Sequence, residues 1–168
     1  LLPAEIIDTD PEKIHLYSQD VFTIGPTICA IVRPRNIDEV AALVRACRES
    51  GTAIVTRGGG MSYTSGYLAT AADSILIDMA SMDDIVEVNL EDRYVTVEVG
   101  CTWQKLYERL SPLGVRTPYW GTLSGRFATV GGGLSQNSIF WGSGQRGTAA
   151  DNVLSVSVMT GKGELIET

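Results

Sequence analysis

The stretch Arg57-Gly58-Gly59-Gly60-Met61-Ser62, continued by "YTSG", follows directly on the apolar run "TAIVT". Glycine loses more conformational freedom on ordering than any other residue. A run of three in a folded chain therefore marks a place that needs positive φ or close approach to the main chain. A strand ending in such a loop presents successive main-chain N–H groups with no side chain in front of them, which suits an anion such as a phosphate. The hydroxyls of Ser62, Thr64 and Ser65 add donors. Taken alone, the triplet is also compatible with a tight turn that holds no ligand.

Two familiar phosphate loops do not fit. There is no G-x-x-x-x-G-K-[ST], because the lysine after Lys105 is Lys162, far down the chain. G-x-G-x-x-G laid on 58–63 puts Tyr63 at the last glycine, and no helical pattern follows. A second stretch, "GRFATVGGGLSQNSIFWGSGQRGTAADN", repeats a glycine triplet among Thr, Ser and Asn and adds Phe127, Phe140 and Trp141 as apolar walls. Two such loops point to an extended ligand with a phosphate portion and flat aromatic portions, the shape of a dinucleotide.

The elements that must position these loops are legible from periodicity. "PEKIHLYSQD" reads as a short helix with proline at its first position, and "TICAIVRP" as a buried strand closed by Pro34. "NIDEVAALVRACRESG" spaces Ile37, Val40, Ala41, Val44 and Cys47 at three and four residues, with Asn36 as cap and Gly51 as stop. With "TAIVT" as the next strand, the first third forms a βαβ unit that runs into the glycines. "SILIDM" predicts a strand, "DIVEVNLEDRYVTVEVG" a hairpin, "TWQKLYERLSPLG" a helix, and "NVLSVSVMTGKGELIE" a closing hairpin with "GKG" as its turn. The region 117–147 is too long to be a simple connection.

Composition bounds the possibilities. The chain has 168 residues, 44% of them hydrophobic, enough for one core of ordinary size. A net charge of -7 with pI near 4.6 argues against a nucleic-acid or anionic-membrane partner. No apolar stretch approaches the ~20 residues of a membrane span. The start lacks the basic residues of a secretory leader, so the expected location is cytoplasmic. Cys29, Cys47 and Cys101 form no C-x-x-C pair and are expected to be free or buried thiols in a reducing compartment, with no metal site. The start at Leu1 is expected of a processed form or a fragment.

Three segments in order resemble the FAD-binding domain of the FAD-linked oxidases of the vanillyl-alcohol-oxidase or PCMH type. "AIVRPRNIDEVAALVRACRESGTAIVTRGGGMSYTSG" is similar to that family's opening strand, helix, strand and pyrophosphate loop. "ILIDMASMDDIVEVNLEDRYVTVEVGCTWQKLYERL" resembles the segment that follows, and "ATVGGGLSQNSIFWGSGQRGTAADNVLSVSVMTGKGELIET" its second flavin loop and hairpin. The resemblance implies an α+β fold of two subdomains, at about 1–75 and 76–168, with FAD between them. It implies that Arg57, Gly58, Gly59, Gly60, Met61 and Ser62 wrap the pyrophosphate. Thr122, Ser124, Thr129, Gly132, Ser135 and Ile139 would follow the flavin and ribityl side, with Asn137 and Gly142 as weaker neighbours.

Departures from the family pattern carry their own expectations. Many relatives tether the flavin through a histidine in an "R-x-G-G-H-S" loop, where this chain has Met61, or through a cysteine where it has Phe127. Non-covalent FAD is therefore expected. The family's substrate domain is not present in 1–168, the FAD domain is expected to be incomplete, and no catalytic base is assigned. The implied function is oxidation of an alcohol or 2-hydroxy acid by hydride transfer to flavin N5, with O2 or another compound as electron acceptor. Two alternatives stand beside it: an NADPH-dependent enzyme like UDP-N-acetylenolpyruvoylglucosamine reductase, and a non-catalytic binding module. Arg146 reads either as a flavin neighbour or as a surface residue, and Tyr119 and Trp120 either flank the flavin or pack. His15 reads as a surface or packing residue, Asp78 as a local cap or solvated group, and Asp151 as backbone support.

Overall fold

The computed structural model describes residues 2–118 and 124–168. In chain order these form β1 (Ile7–Asp8), α1 (Pro11–Tyr17), β2 (Ala30–Val32), α2 (Ile37–Ser50), β3 (Ile54–Arg57), β4 (Ile75–Asp78), β5 (Ile85–Asn89), β6 (Tyr94–Val97), α3 (Trp103–Leu110), α4 (Val130–Ser135), α5 (Ser143–Arg146), β7 (Ser157–Met159) and β8 (Leu165–Glu167). Chain contacts divide them into two units, Leu1–Ser81 with Ser155–Thr168, and Met82–Leu154. The α+β class, with its βαβ start and antiparallel hairpins, is the one expected.

The first unit is built on a mixed sheet in the order β1-β2-β4-β3. Strand β4 lies in the middle, parallel to β2 on one side and to β3 on the other, so Ile75 is paired with both Ala30 and Ile54. This corrects the expected boundary near residue 75, which would cut through the strand that joins the βαβ partners. The final hairpin β7–β8 also belongs to this unit, because its turn rests on α2. There Arg45 Nη1 donates to the Gly163 carbonyl at 3.0 Å, and Gly163 has φ +75°.

Local signals account for the helices. Asp10 accepts from the Glu12 amide at the start of α1, with Pro11 at the first position. Asn36 caps α2 through the Glu39 amide at 2.9 Å, and Gly51 ends it at φ 71°. The buried face of α2 sends Leu43 and Cys47 against Ile6, Val32 and Ile77. On the other side of the sheet, Ile28, Ile31, Ala69 and Leu76 pack with Ile14, Tyr17 and Val55. Full burial of each large aliphatic side chain stabilises the unit by about 1.5–3 kcal/mol.

The second unit pairs the β5–β6 hairpin with α3, whose first turn is capped by Thr102. Its core is Cys101, Trp103, Leu106, Leu110, Phe140 and Ala149, with the rings of Trp103 and Phe140 edge to face at 5.0 Å.

The β1–α1 corner is tied by charge. Lys13 and Arg33 both reach Asp8 Oδ2, at 2.7 and 3.1 Å. The Lys13 ammonium, then the Asp10 amide and the Arg33 guanidinium, pull the Asp8 carboxyl from 3.8 down to about 2. Because the folded value lies below the unfolded one, the stabilisation is complete above pH 3.8 and is lost as pH falls through about 2. In urea unfolding, the stability difference between wild type and Asp8→Asn should be largest near about pH 5 and shrink toward about pH 2. A difference independent of pH would contradict the ion-pair account.

Candidate functional site

Arg57 ends β3 opposite Asp78, the end of β4, and the chain leaves the sheet there into Gly58-Gly59-Gly60. Gly60 has φ +65° and passes so close over the Arg57 guanidinium that a Cβ on it would collide with that group. The positive φ favours glycine at this position, and any side chain there would displace the Arg57 guanidinium. The guanidinium carbon lies 4.1 Å from the Tyr17 ring centroid and 5.2 Å from that of Tyr67. Arg57 Nε is buried without a hydrogen-bond partner, and Arg57 makes no ion pair among the described residues.

Over this cation the main-chain N–H groups of Gly59, Gly60, Met61, Ser62 and Tyr63 donate to no acceptor among the described residues. Open main-chain donors in succession beside a cation suit an anion. Ser62 Oγ lies 2.9 Å from Thr64 Oγ1 and accepts the Thr64 amide at 3.3 Å. Asp20 anchors the far end of the loop, accepting from the Ser65 amide at 3.1 Å and Ser65 Oγ at 3.3 Å while also holding the Phe22 and Thr23 amides. Those bonds, the Phe22 amide foremost, lower the Asp20 pKa against the opposing effect of desolvation.

Behind the loop, Asp78 is 3% exposed. It accepts from Arg33 Nε at 3.0 Å, the Tyr17 hydroxyl at 3.1 Å and the Ala80 amide at 3.1 Å. The expected local capping is present, but the carboxylate is buried rather than solvated. Burial works against the charged form of Arg33, yet its bonds to Tyr17, Asp8 and Asp78 outweigh this and raise its pKa. Nothing local in the sequence marks Tyr17, Tyr67 and Asp20 as site residues. No spacing links them to Arg57; the strand pairing and the course of the loop bring them together.

The second glycine triplet behaves differently. It lies inside α4, where Val130 N bonds Cys101 O at 2.8 Å, Gly131 N bonds Val99 O at 3.0 Å, and Gly133 N bonds Thr129 O at 3.0 Å. Thr129 is buried, and its Oγ1 caps the helix by accepting Gly132 N at 3.1 Å. A Cβ on Gly131 would stand 2.7 Å from Val99 O, and one on Gly133 3.0 Å from Phe140. These two glycines serve close packing. At Gly132 a Cβ would meet the capping Thr129 hydroxyl alone.

Of the other expected flavin neighbours, Ser124 accepts the Phe127 and Ala128 amides through its carbonyl. Ser135 Oγ donates to Gly132 O at 2.9 Å, and Ile139 is 79% exposed. Phe140, expected as an apolar wall, is instead a core residue against Trp103; Phe127 and Trp141 remain exposed. Asn137 has φ 45° and accepts the Ala150 amide, and Gly142 has φ 108°. Arg146 and His15 are exposed, and Asp151 holds Thr148 through its amide and hydroxyl. Thr122, Tyr119 and Trp120 lie outside the described residues. Among the described residues no cluster of His, Cys, Asp and Glu could hold a metal, and no helix is long and apolar enough to cross a membrane.

Residues 28–168 match a family described as FAD binding domain. The chain belongs to that family, the FAD-binding domain of the PCMH-type FAD-linked oxidases. It is 30% identical over 162 residues to a mitochondrial D-lactate dehydrogenase (cytochrome) of Arabidopsis thaliana, covering 96% of this chain and 28% of that protein. It is 27% identical over 139 residues to glycolate oxidase subunit GlcD of Bacillus subtilis, covering 83% of this chain and 29% of the relative. The chain thus spans less than a third of the length of these two relatives. Among solved structures, alkyldihydroxyacetonephosphate synthase superposes with TM-score 0.87 at 21% identity, over 100% of this chain and 36% of that one. p-Cresol methylhydroxylase superposes with TM-score 0.81 at 17% identity, over 99% and 33%. At these identities the likeness carries the fold.

This FAD-binding domain offers a fit to the diphosphate of the cofactor on its own geometry: open amides, a glycine where a Cβ would fill the cradle, and a half-buried cation with no carboxylate on it among the described residues. The α4 triplet predicts a different signature. Gly131→Ala, whose Cβ meets backbone, should destabilise the protein by about 1–3 kcal/mol. Gly144→Ala in α5 meets nothing within 4 Å and should leave the thermal midpoint unchanged or raised. Equal midpoints for the two variants in a thermal melt would refute the packing role.

Proposed function

We propose that the chain is the FAD-binding portion of a FAD-linked oxidoreductase acting on an alcohol or a 2-hydroxy acid. The observation that carries the reading is the run of open amides from Gly59 to Tyr63 at the end of a parallel strand, in a chain matched to a FAD-binding family. The substrate class is supported by relatives whose names denote 2-hydroxy acids: D-lactate dehydrogenase, glycolate oxidase and D-2-hydroxyglutarate dehydrogenase. When bound, FAD would supply the hydride acceptor, at flavin N5, with electrons leaving to O2 or another acceptor.

The chain's own residues bind and orient. Gly58, Gly59, Gly60, Met61 and Ser62 turn their main chain to the diphosphate, and Arg57 places a positive charge beneath them. Ser124, Thr129, Gly132, Ser135 and Ile139, together with Thr122, take the flavin and ribityl side. Thr129 acts there by setting the first turn of α4, and Ile139 by offering an exposed apolar face.

The attachment is non-covalent in this reading. Met61 and Phe127 stand where relatives carry the tethering residue. Of the cysteines, Cys101 is fully buried, and burial pushes its thiol up to about 11, so it stays protonated at neutral pH.

The test is spectroscopic. Purified protein supplied with FAD should show the absorption of oxidised flavin, and acid precipitation should leave the colour in the supernatant. A coloured pellet would refute non-covalent attachment, and absence of any bound flavin would refute the function. Gly60→Ala, which forces a side chain into the cradle at positive φ, should weaken FAD by about tenfold or more.

A further inference from the structure

Arg57 is carried by the end of β3, yet its guanidinium is positioned by two aromatic rings from elsewhere in the first unit. Tyr17, the last residue of α1, faces it at 4.1 Å, and Tyr67, beyond the glycine loop, at 5.2 Å. Arg33 also lies over the Tyr17 ring, at 5.6 Å, but its charge is neutralised by Asp8 and Asp78. Arg57 has no such partner among the described residues, and its Nε is buried without a hydrogen bond. A cation partly withdrawn from water without a carboxylate is costly unless something else stabilises it. Here the aromatic faces do so, and they leave the positive charge uncancelled.

We infer that Tyr17 and Tyr67 are positioning residues for diphosphate binding: by clamping the Arg57 guanidinium between their rings, they hold an unneutralised cation beneath the open amides of the glycine loop. The inference rests on the diphosphate reading of that loop. The ring faces carry the effect, while the Tyr17 hydroxyl is engaged elsewhere, donating to Asp78 at 3.1 Å. Tyr67 is buried, and desolvation raises its hydroxyl above the ordinary tyrosine value against the opposing pull of the Arg57 charge, so the hydroxyl stays protonated at neutral pH and adds no charge that would cancel Arg57.

The consequence is a dependence on ring rather than hydroxyl. ADP and FAD binding are to be measured by calorimetry on wild type, Tyr17→Leu, Tyr17→Phe, Tyr67→Leu, Tyr67→Phe and Arg57→Gln, with thermal midpoints of the ligand-free proteins alongside. The Leu variants should weaken ADP about 5- to 30-fold, and the Phe variants should stay within about twofold of wild type. In the Arg57→Gln background Tyr17→Leu should cost less than about twofold, because the ring then has no cation to place. Arg57→Gln and the Leu variants should also share a shallower fall of ADP affinity with salt than wild type.

Should wild type bind neither ADP nor FAD, the functional reading fails and takes this inference with it. Should wild type bind while the Leu variants stay within about twofold, or while the losses simply add in the cycle, the clamp alone is overturned. If the Leu variants do not fold, Arg57→Gln decides by itself: wild-type affinity and salt dependence in that variant would overturn the proposal, and loss of both would support it.

Discussion

The parallel pairing of β3 with β4 is the constraint on which the first unit depends. It ends both strands at the same level, Arg57 opposite Asp78, and so sets a cation at the start of the glycine loop and a buried carboxylate beside it. Everything around the loop answers to that layer. Asp78 gathers Arg33 and the Tyr17 hydroxyl, Tyr17 turns its ring to Arg57, and Gly60 folds over the guanidinium. Were the pairing shifted by one residue, the side chains would exchange faces and the layer would not form.

The arrangement keeps two positive charges apart by function. Arg33 is fully matched, by Asp8 and Asp78, and ties β1 to the sheet. Arg57 faces aromatic rings instead of carboxylates, so its charge remains available to the loop. In the diphosphate reading proposed for this loop, an anion would meet a cation and open amides already in place, which would lower the ordering cost of binding. Asp20 contributes at the other end of the loop by tying Ser65 to the turn that contains Phe22 and Thr23.

The two glycine triplets show why composition is an incomplete guide to a site. Both are surrounded by hydroxylated residues, and both look like loops that admit a ligand. In the first, the amides are open and a positive φ is required at Gly60. In the second, the amides are bonded within and before α4, and the missing side chains at Gly131 and Gly133 admit Val99, Phe140 and Trp103. The same residue type meets two needs, freedom of φ in one place and absence of volume in the other.

Local patterns in the sequence were enough for many of the elements: the spacing of Val40, Val44 and Cys47 with Asn36 and Gly51 at the ends determined α2, and the β-branched runs determined strands such as β2 and β3, whereas β1, α4 and α5 carried no such pattern. The glycine loop and its place after a strand were likewise local, and three ordered segments sufficed for the family. Tertiary structure alone decided the insertion of β4 between β2 and β3, the return of the last hairpin onto α2, and the roles of Tyr17, Tyr67, Asp20 and Asp78. The physical reason is range. Helix capping, periodicity and turn chemistry act over a few residues and leave a trace in sequence, whereas strand order, ring-on-cation contacts and a buried carboxylate's partners join residues whose separation along the chain carries no pattern.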